Sequence, residues 1–162
     1  MNSKTKFLAT TAIIAALYFA VSMLVAPFAF KEVQFRISEM FNHLVAFNPR
    51  YMLGILLGVF ITNLFSPLGP IDIYFGVGHS LLTLGIFILI CKFVKNIWLR
   101  LVINSFLFTF TMFIIGIELN IMYEIPFWFA WLTCAIGEFV VLIIGAPIMH
   151  FINKRLKFKD LI

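Results

Sequence analysis

The sequence predicts an all-α integral membrane protein, a six-transmembrane-helix bundle with both termini cytoplasmic. Three observations carry that prediction. Of the 162 residues, 63% are hydrophobic and only 12% charged, with a mean hydropathy of +1.09, whereas a soluble domain carries about twice that share of charge. Apolar runs long enough to cross a hydrocarbon layer of roughly 30 Å recur along the chain. The lysines and arginines fall almost entirely in turns on one side of the zigzag those runs imply. Together these features predict one multi-pass domain over residues 1–162, seated in the lipid bilayer of the cell membrane.

The first span is expected at 7–30, because no charged residue stands between Phe7 and Phe30. No small-residue cleavage pattern follows a short apolar core there, so the segment reads as a membrane helix and not as a cleaved signal. Ala12, Ala16 and Ala20 recur every fourth residue along it. Such a stripe lets another helix approach closely in lipid, inside the same bundle or on a partner. A second, short span is expected at 36–48, ending before Pro49, and a third at 50–65, ending before Ser66-Pro67. At 1.5 Å per residue the second span cannot cross the membrane alone, so it must be shielded by other helices or line a cavity. The remaining spans, 73–94, 98–119 and 126–153, are separated by proline and polar clusters where helices stop.

Charge sets the expected orientation. Lys4, Lys6, Arg50, Lys92, Lys95, Arg100, Lys154, Arg155, Lys157 and Lys159 fall on one side of this topology, and Lys31 and Arg36 on the other. The positive-inside rule then places both termini in the cytoplasm. The net charge of +5 is therefore a topology signal, and no nucleic-acid partner is implied. The acids run the other way: Glu32, Glu39, Asp72, Glu118, Glu124 and Glu138 fall in outer loops or outer helix halves, and Asp160 alone is plainly cytoplasmic.

Polar residues concentrate in Lys31 to His43, where Arg36, Ser38 and Glu39 present a guanidinium, a hydroxyl and a carboxylate together. If the segment is helical, Arg36 and Glu39 share a face and can neutralise each other. A charge facing hydrocarbon costs roughly 2.5–3.5 kcal/mol or more, so the pair must face protein, water or ligand. The loop from Asn63 to Gly76 reads as a tight turn, with Gly69 and Gly76 free to take positive φ and with Asn63, Ser66 and Asp72 able to bond its backbone. Glu138 lies well inside the last span with no cation within a helical turn, and an unpaired membrane carboxylate points to function or to a buried pair with Arg36.

Other classes of chemistry find no support. Cys91 and Cys134 are too few for a metal cluster and fall near opposite helix ends, so both are expected as buried free thiols. His43, His79 and His150 lack metal-ligand spacing, although His43, four residues after Glu39, would extend the outer site. No glycine precedes a lysine, so a phosphate-binding Walker loop is missing. No cofactor, metal or catalytic residue is expected.

Gln34-Phe35-Arg36-Ile37-Ser38-Glu39, Asn63 with Ser66-Pro67-Leu68-Gly69, Asp72, Phe75-Gly76 and Gly137-Glu138 together resemble the queuosine-precursor transporter (QueT) family, the substrate-binding S components of energy-coupling-factor (ECF) transporters. The resemblance covers nearly the whole chain and is most specific in the Phe-Arg-Ile-Ser-Glu block. It departs at Met40, Phe41, Asn42 and His43, bulkier or more polar than is usual there, and at Val45, where the family has proline. It implies capture of a 7-deazapurine or queuine-like base from outside. It also implies a membrane coupling subunit docked on Ala12, Ala16 and Ala20, and two cytoplasmic ATPase subunits that supply the energy.

Such a ligand suits the residues. A guanine-like edge offers two parallel donors that one carboxylate, Glu138 or Glu39, accepts together. Arg36 would face the purine carbonyl or a ring nitrogen, and Phe35, Tyr74, Trp128 or Trp131 would stack on the base. With Ser38, Asn63 and Asp72 these form the expected substrate-binding set. An S component for another vitamin-like nucleobase, a lipid-modifying membrane enzyme using Glu39, His43 and Glu138, and a non-transporting assembly protein are also compatible with the sequence.

Overall fold

The computed structural model describes residues 2–25 and 36–162. Helix α1, Ser3–Leu24, is capped by the Asn2 side chain, which accepts from the Lys4 amide at 3.4 Å. A 3-10 segment, Ile37–His43, runs directly into the short helix α2, Leu44–Phe47. Then come α3 (Tyr51–Asn63), α4 (Pro70–Cys91), α5 (Ile97–Thr111), α6 (Phe113–Tyr123) and α7 (Phe127–Leu156). No strand occurs among the described residues. α1, α4, α5 with α6, and α7 are each long and apolar enough to cross a membrane, and α3 is a shorter apolar helix. The protein is thus a multi-pass membrane bundle, as its composition requires.

The expected spans differ from the observed helices in informative ways. The first helix starts at Ser3, because Asn2 supplies a cap, and the end of the expected span, 26–30, lies outside the described residues together with Lys31, Glu32, Gln34 and Phe35. The second span is mostly 3-10 and not α-helical, and it is held as a shielded wall: Ser38, Glu39, Asn42, His43, Leu44, Val45 and Ala46 are all buried. α4 begins three residues earlier than expected, because Pro70 suits the first turn of a helix, where its missing N–H costs nothing. The 98–119 span breaks at Met112. There the Thr111 hydroxyl bonds the carbonyls of Leu107 and Phe108 at 3.0 and 3.1 Å, a back-bonding that distorts helices. α7 runs on to Leu156, with Pro147 inside it.

α1 buries Thr11, Ile14, Ala15, Tyr18 and Ser22. It packs closely on α3, where Gly54 and Gly58 form the small-residue face: a Cβ at Gly58 would stand 2.6 Å from Tyr18 Cβ. Ala12, Ala16 and Ala20 lie on the opposite, exposed face, so the alanine stripe is not internal packing.

One end of the bundle gathers the cationic turns. The C-terminal turn tucks under it, with Tyr51 Oη donating to the Phe158 carbonyl at 2.8 Å, Thr10 to Leu161 at 2.9 Å, and Lys6 Nζ to the Asp160 carbonyl. Arg100 donates to the carbonyls of Ala46, Cys91 and Val94 at 2.7–3.0 Å, closing the ends of α2 and α4. Cys91 and Cys134 are both buried.

Candidate binding site

Toward the opposite end, polar residues from five helices and the 3-10 segment meet inside the bundle. Arg36 enters just before the 3-10 segment with extended backbone and is 6% exposed. Its guanidinium donates to Asp72 Oδ2 and to Asn63 Oδ1, both at 3.3 Å. Asn63 in turn donates from Nδ2 to the Asp72 carbonyl at 2.8 Å, so the last residue of α3 and the first turn of α4 form one clamp around the arginine. Gly76 makes room for it. A Cβ there would fall 2.1 Å from Asn63 Nδ2, which is why this glycine is needed although its φ is not positive. Gly69 does take positive φ, at 73°, and the Ser66 hydroxyl accepts the Leu68 amide at 3.2 Å, so the turn is built much as its sequence suggests.

Glu39 does not pair with Arg36. Its two oxygens accept from Tyr18 Oη and Asn42 Nδ2, both at 2.5 Å, while Ser38 and Ser22 hydroxyls meet at 2.6 Å beside them. A residue that precedes a 3-10 turn does not share a face with one inside it, and the α-helical spacing argument fails for that reason. His43 is likewise turned elsewhere, between the Leu142 carbonyl at 2.8 Å and Asn104 at 3.2 Å.

Two further carboxylates complete the cluster. Glu118 of α6 is fully buried and Glu138 of α7 is 1% exposed, and no oxygen of either has a hydrogen-bond partner among the described residues. Both lie within electrostatic range of Arg36; Glu118 also senses Asp72, and Glu138 senses Glu39. Glu138 therefore does not form the ion pair with Arg36 that its isolation in sequence allowed. Arg36, Ser38, Glu39, Asn63, Asp72 and Glu138 are brought together. The aromatic candidates are not gathered with them: Tyr74 is 79% and Trp128 67% exposed, and Trp131 packs against Gly116 while donating to the Phe110 carbonyl at 3.2 Å. Two residues along a helix turn the side chain by about 200°, so Tyr74 faces out because Asp72 faces in.

The cluster is thus a group of buried charged and polar side chains inside a bundle of membrane-length helices. A family model described as QueT transporter matches residues 8–154. The chain belongs to the QueT transporter family. Consistent with that, it is 34% identical to the queuosine precursor transporter QueT of Lactococcus lactis subsp. cremoris (strain MG1363), over 95% of this chain and 96% of the relative. No solved structure matches it. Within this QueT family member, sequence reasoning missed Tyr18, Ser22 and Asn42 as partners of the Ser38-Glu39 pair, and it did not single out Glu118. The Gly54-x-x-x-Gly58 spacing was the available signal for Tyr18, since it identifies the α3 face against which α1 turns its buried side.

Proposed function

We propose that this chain is the substrate-binding S component of an ECF-type importer and captures a queuosine precursor, a 7-deazapurine base, in the buried polar cluster. The observation that carries the reading is the Glu138 carboxylate, buried with both oxygens unbonded. A buried acceptor without a donor is costly, and the N1–H and exocyclic amine of a guanine-like edge are two parallel donors that one carboxylate accepts together. Arg36, held by Asn63 and Asp72, supplies the donor for the base carbonyl. The similarity to the Lactococcus queuosine precursor transporter supports the ligand class.

The orientation follows from the ten cations at one end: with both termini cytoplasmic, the cluster lies in the outer half, where an importer captures its ligand. The chain has no Walker lysine, so ATP hydrolysis belongs to two cytoplasmic partner subunits acting through a membrane coupling subunit. The exposed stripe of Ala12, Ala16 and Ala20 on α1 is the docking face for that subunit, since small residues let helices close on one another in lipid.

Calorimetric titration of a 7-deazaguanine into the purified protein tests the reading. Glu138→Gln replaces one acceptor oxygen by a donor that opposes the ligand N–H, and is expected to weaken binding by about 2–4 kcal/mol, roughly 30- to 1000-fold. Unchanged affinity removes Glu138 from the site.

A further inference from the structure

Helices α1 and α3 run side by side in the same direction, Gly54 lying against Thr11 and Ile14 and Gly58 against Tyr18. Carried back one turn, that register sets Arg50, the residue before α3, opposite residues 7–10 of α1. The first turn of α1, which begins at Ser3, therefore projects past the start of α3. Lys4 and Phe7 continue, at spacings of three and four, the buried stripe of Thr11, Ala15, Tyr18 and Ser22, so they face the side that α3 would cover if it reached further. In its place lies an open groove of about 450 Å³, lined by Ser3, Lys4, Phe7, Leu8 and Arg50.

The lining divides into a charged part and an apolar part. No side-chain hydrogen bond or ion pair engages Lys4 or Arg50 among the described residues, whereas the nearby Lys6 is taken up by the Asp160 carbonyl. No acid is among the lining residues, and Leu8 is 63% exposed. Phe7 opens the charge-free run that continues to Phe30, so the groove straddles the level at which lipid headgroups give way to acyl chains. A small inorganic anion would use only the two cations, and an uncharged lipid only Phe7 and Leu8. An anionic phospholipid uses both, since basic pockets between membrane helices take phosphate headgroups, and lysine and arginine both donate to phosphate oxygens. We infer that this groove is a site for an anionic phospholipid, with Lys4 and Arg50 on its phosphate and an acyl chain along Phe7 and Leu8. The site stands apart from the polar cluster and does not depend on what that cluster binds.

Native mass spectrometry of the purified full chain, released from detergent micelles that contain defined lipid, is the test. One phosphatidylglycerol is expected to bind about 30-fold more tightly than a phosphatidylcholine of the same chain length, the factor for two cations at an anionic headgroup. In the double variant Lys4→Gln/Arg50→Gln the two lipids should differ by less than about threefold. Lys92→Gln/Lys95→Gln removes the same charge from exposed positions at the same end of the bundle and should keep the full preference, which separates a built site from summed surface charge. Inorganic phosphate, which has no chains, should leave phosphatidylglycerol bound when added at millimolar concentration. Complete displacement by phosphate would mean an adventitious ion only. Equal binding of the two lipids by wild type, or an equal loss of preference in both double variants, overturns the inference.

Discussion

Replacing Tyr18 by phenylalanine removes one hydroxyl from the centre of the bundle and changes almost nothing else. In the structure that hydroxyl donates to Glu39 Oε1 at 2.5 Å, with Tyr18 1% and Glu39 3% exposed, so water cannot take its place. Glu39 would keep a single donor, Asn42 Nδ2 on the other oxygen. The ring remains, so no cavity contributes, and the loss is that of a hydrogen bond to a charged group, about 1.5–3 kcal/mol. Tyr51→Phe is the internal control, because Tyr51 is equally buried but donates to a neutral carbonyl, that of Phe158, at 2.8 Å. It should cost about 0.5–1.5 kcal/mol. Equilibrium unfolding in mixed micelles, with both variants in the same detergent, measures the difference. Because both Glu39 oxygens already hold donors, the ligand dissociation constant of Tyr18→Phe should move by less than about threefold, equivalent to roughly 0.7 kcal/mol. If Tyr18→Phe proves no more costly than Tyr51→Phe, or if affinity falls further than stability does, Glu39 is a ligand acceptor and not the structural carboxylate described above.

Gly76→Ala forces the Asn63 side chain away from a Cβ that would otherwise lie 2.1 Å from it, and so opens the Arg36 clamp. A loss of about 2–4 kcal/mol in unfolding free energy is expected, and a silent substitution would mean that Asn63 does not hold Arg36. Ala16→Leu puts a bulky side chain on the exposed face of α1, opposite the cluster, and should leave ligand binding nearly intact while abolishing uptake and co-purification with the proposed coupling subunit. Unchanged uptake would show that this face meets only lipid. For orientation, a cysteine at Tyr123, which is 52% exposed at the end of α6, should react in intact cells with an impermeant reagent, whereas one at Lys95 should not. The reverse labelling pattern would place the cluster on the cytoplasmic side.

Much of the fold was legible because hydropathy and charge are summed locally along the chain. The apolar run after Phe7, the prolines at 67, 70 and 126, and the cation-rich turns lie within a few residues of helix ends among the described residues. The break at Met112 was not legible. Thr111 reads as one more tolerated polar residue until it is seen to carry His79 and Thr83, both at 2.9 Å, as well as two carbonyls of its own helix. Within the site, Arg36, Glu39, Asp72 and Glu138 stood out as charges in an apolar chain, whereas Glu118 passed as a helix-end acid and Tyr74 and Trp128 passed as stacking partners.

The amino-acid sequence by itself determined that this chain enters a membrane, roughly where it crosses, and which end collects the positive charge, because each of these depends on residues near one another in the chain. Only the tertiary structure decided how each helix is rotated about its axis, and that rotation is set by distant contacts: Gly54 and Gly58 of α3 against Thr11, Ile14 and Tyr18 of α1, Gly116 against Trp131, and Gly145 against Met40. The rotation turns Tyr18 inward onto Glu39 and the alanines outward, and it brings Asp72 to Arg36 across 36 residues of chain. It leaves Glu118 and Glu138 facing the cluster unpaired, because neither α6 nor α7 carries a cation at that depth to meet them.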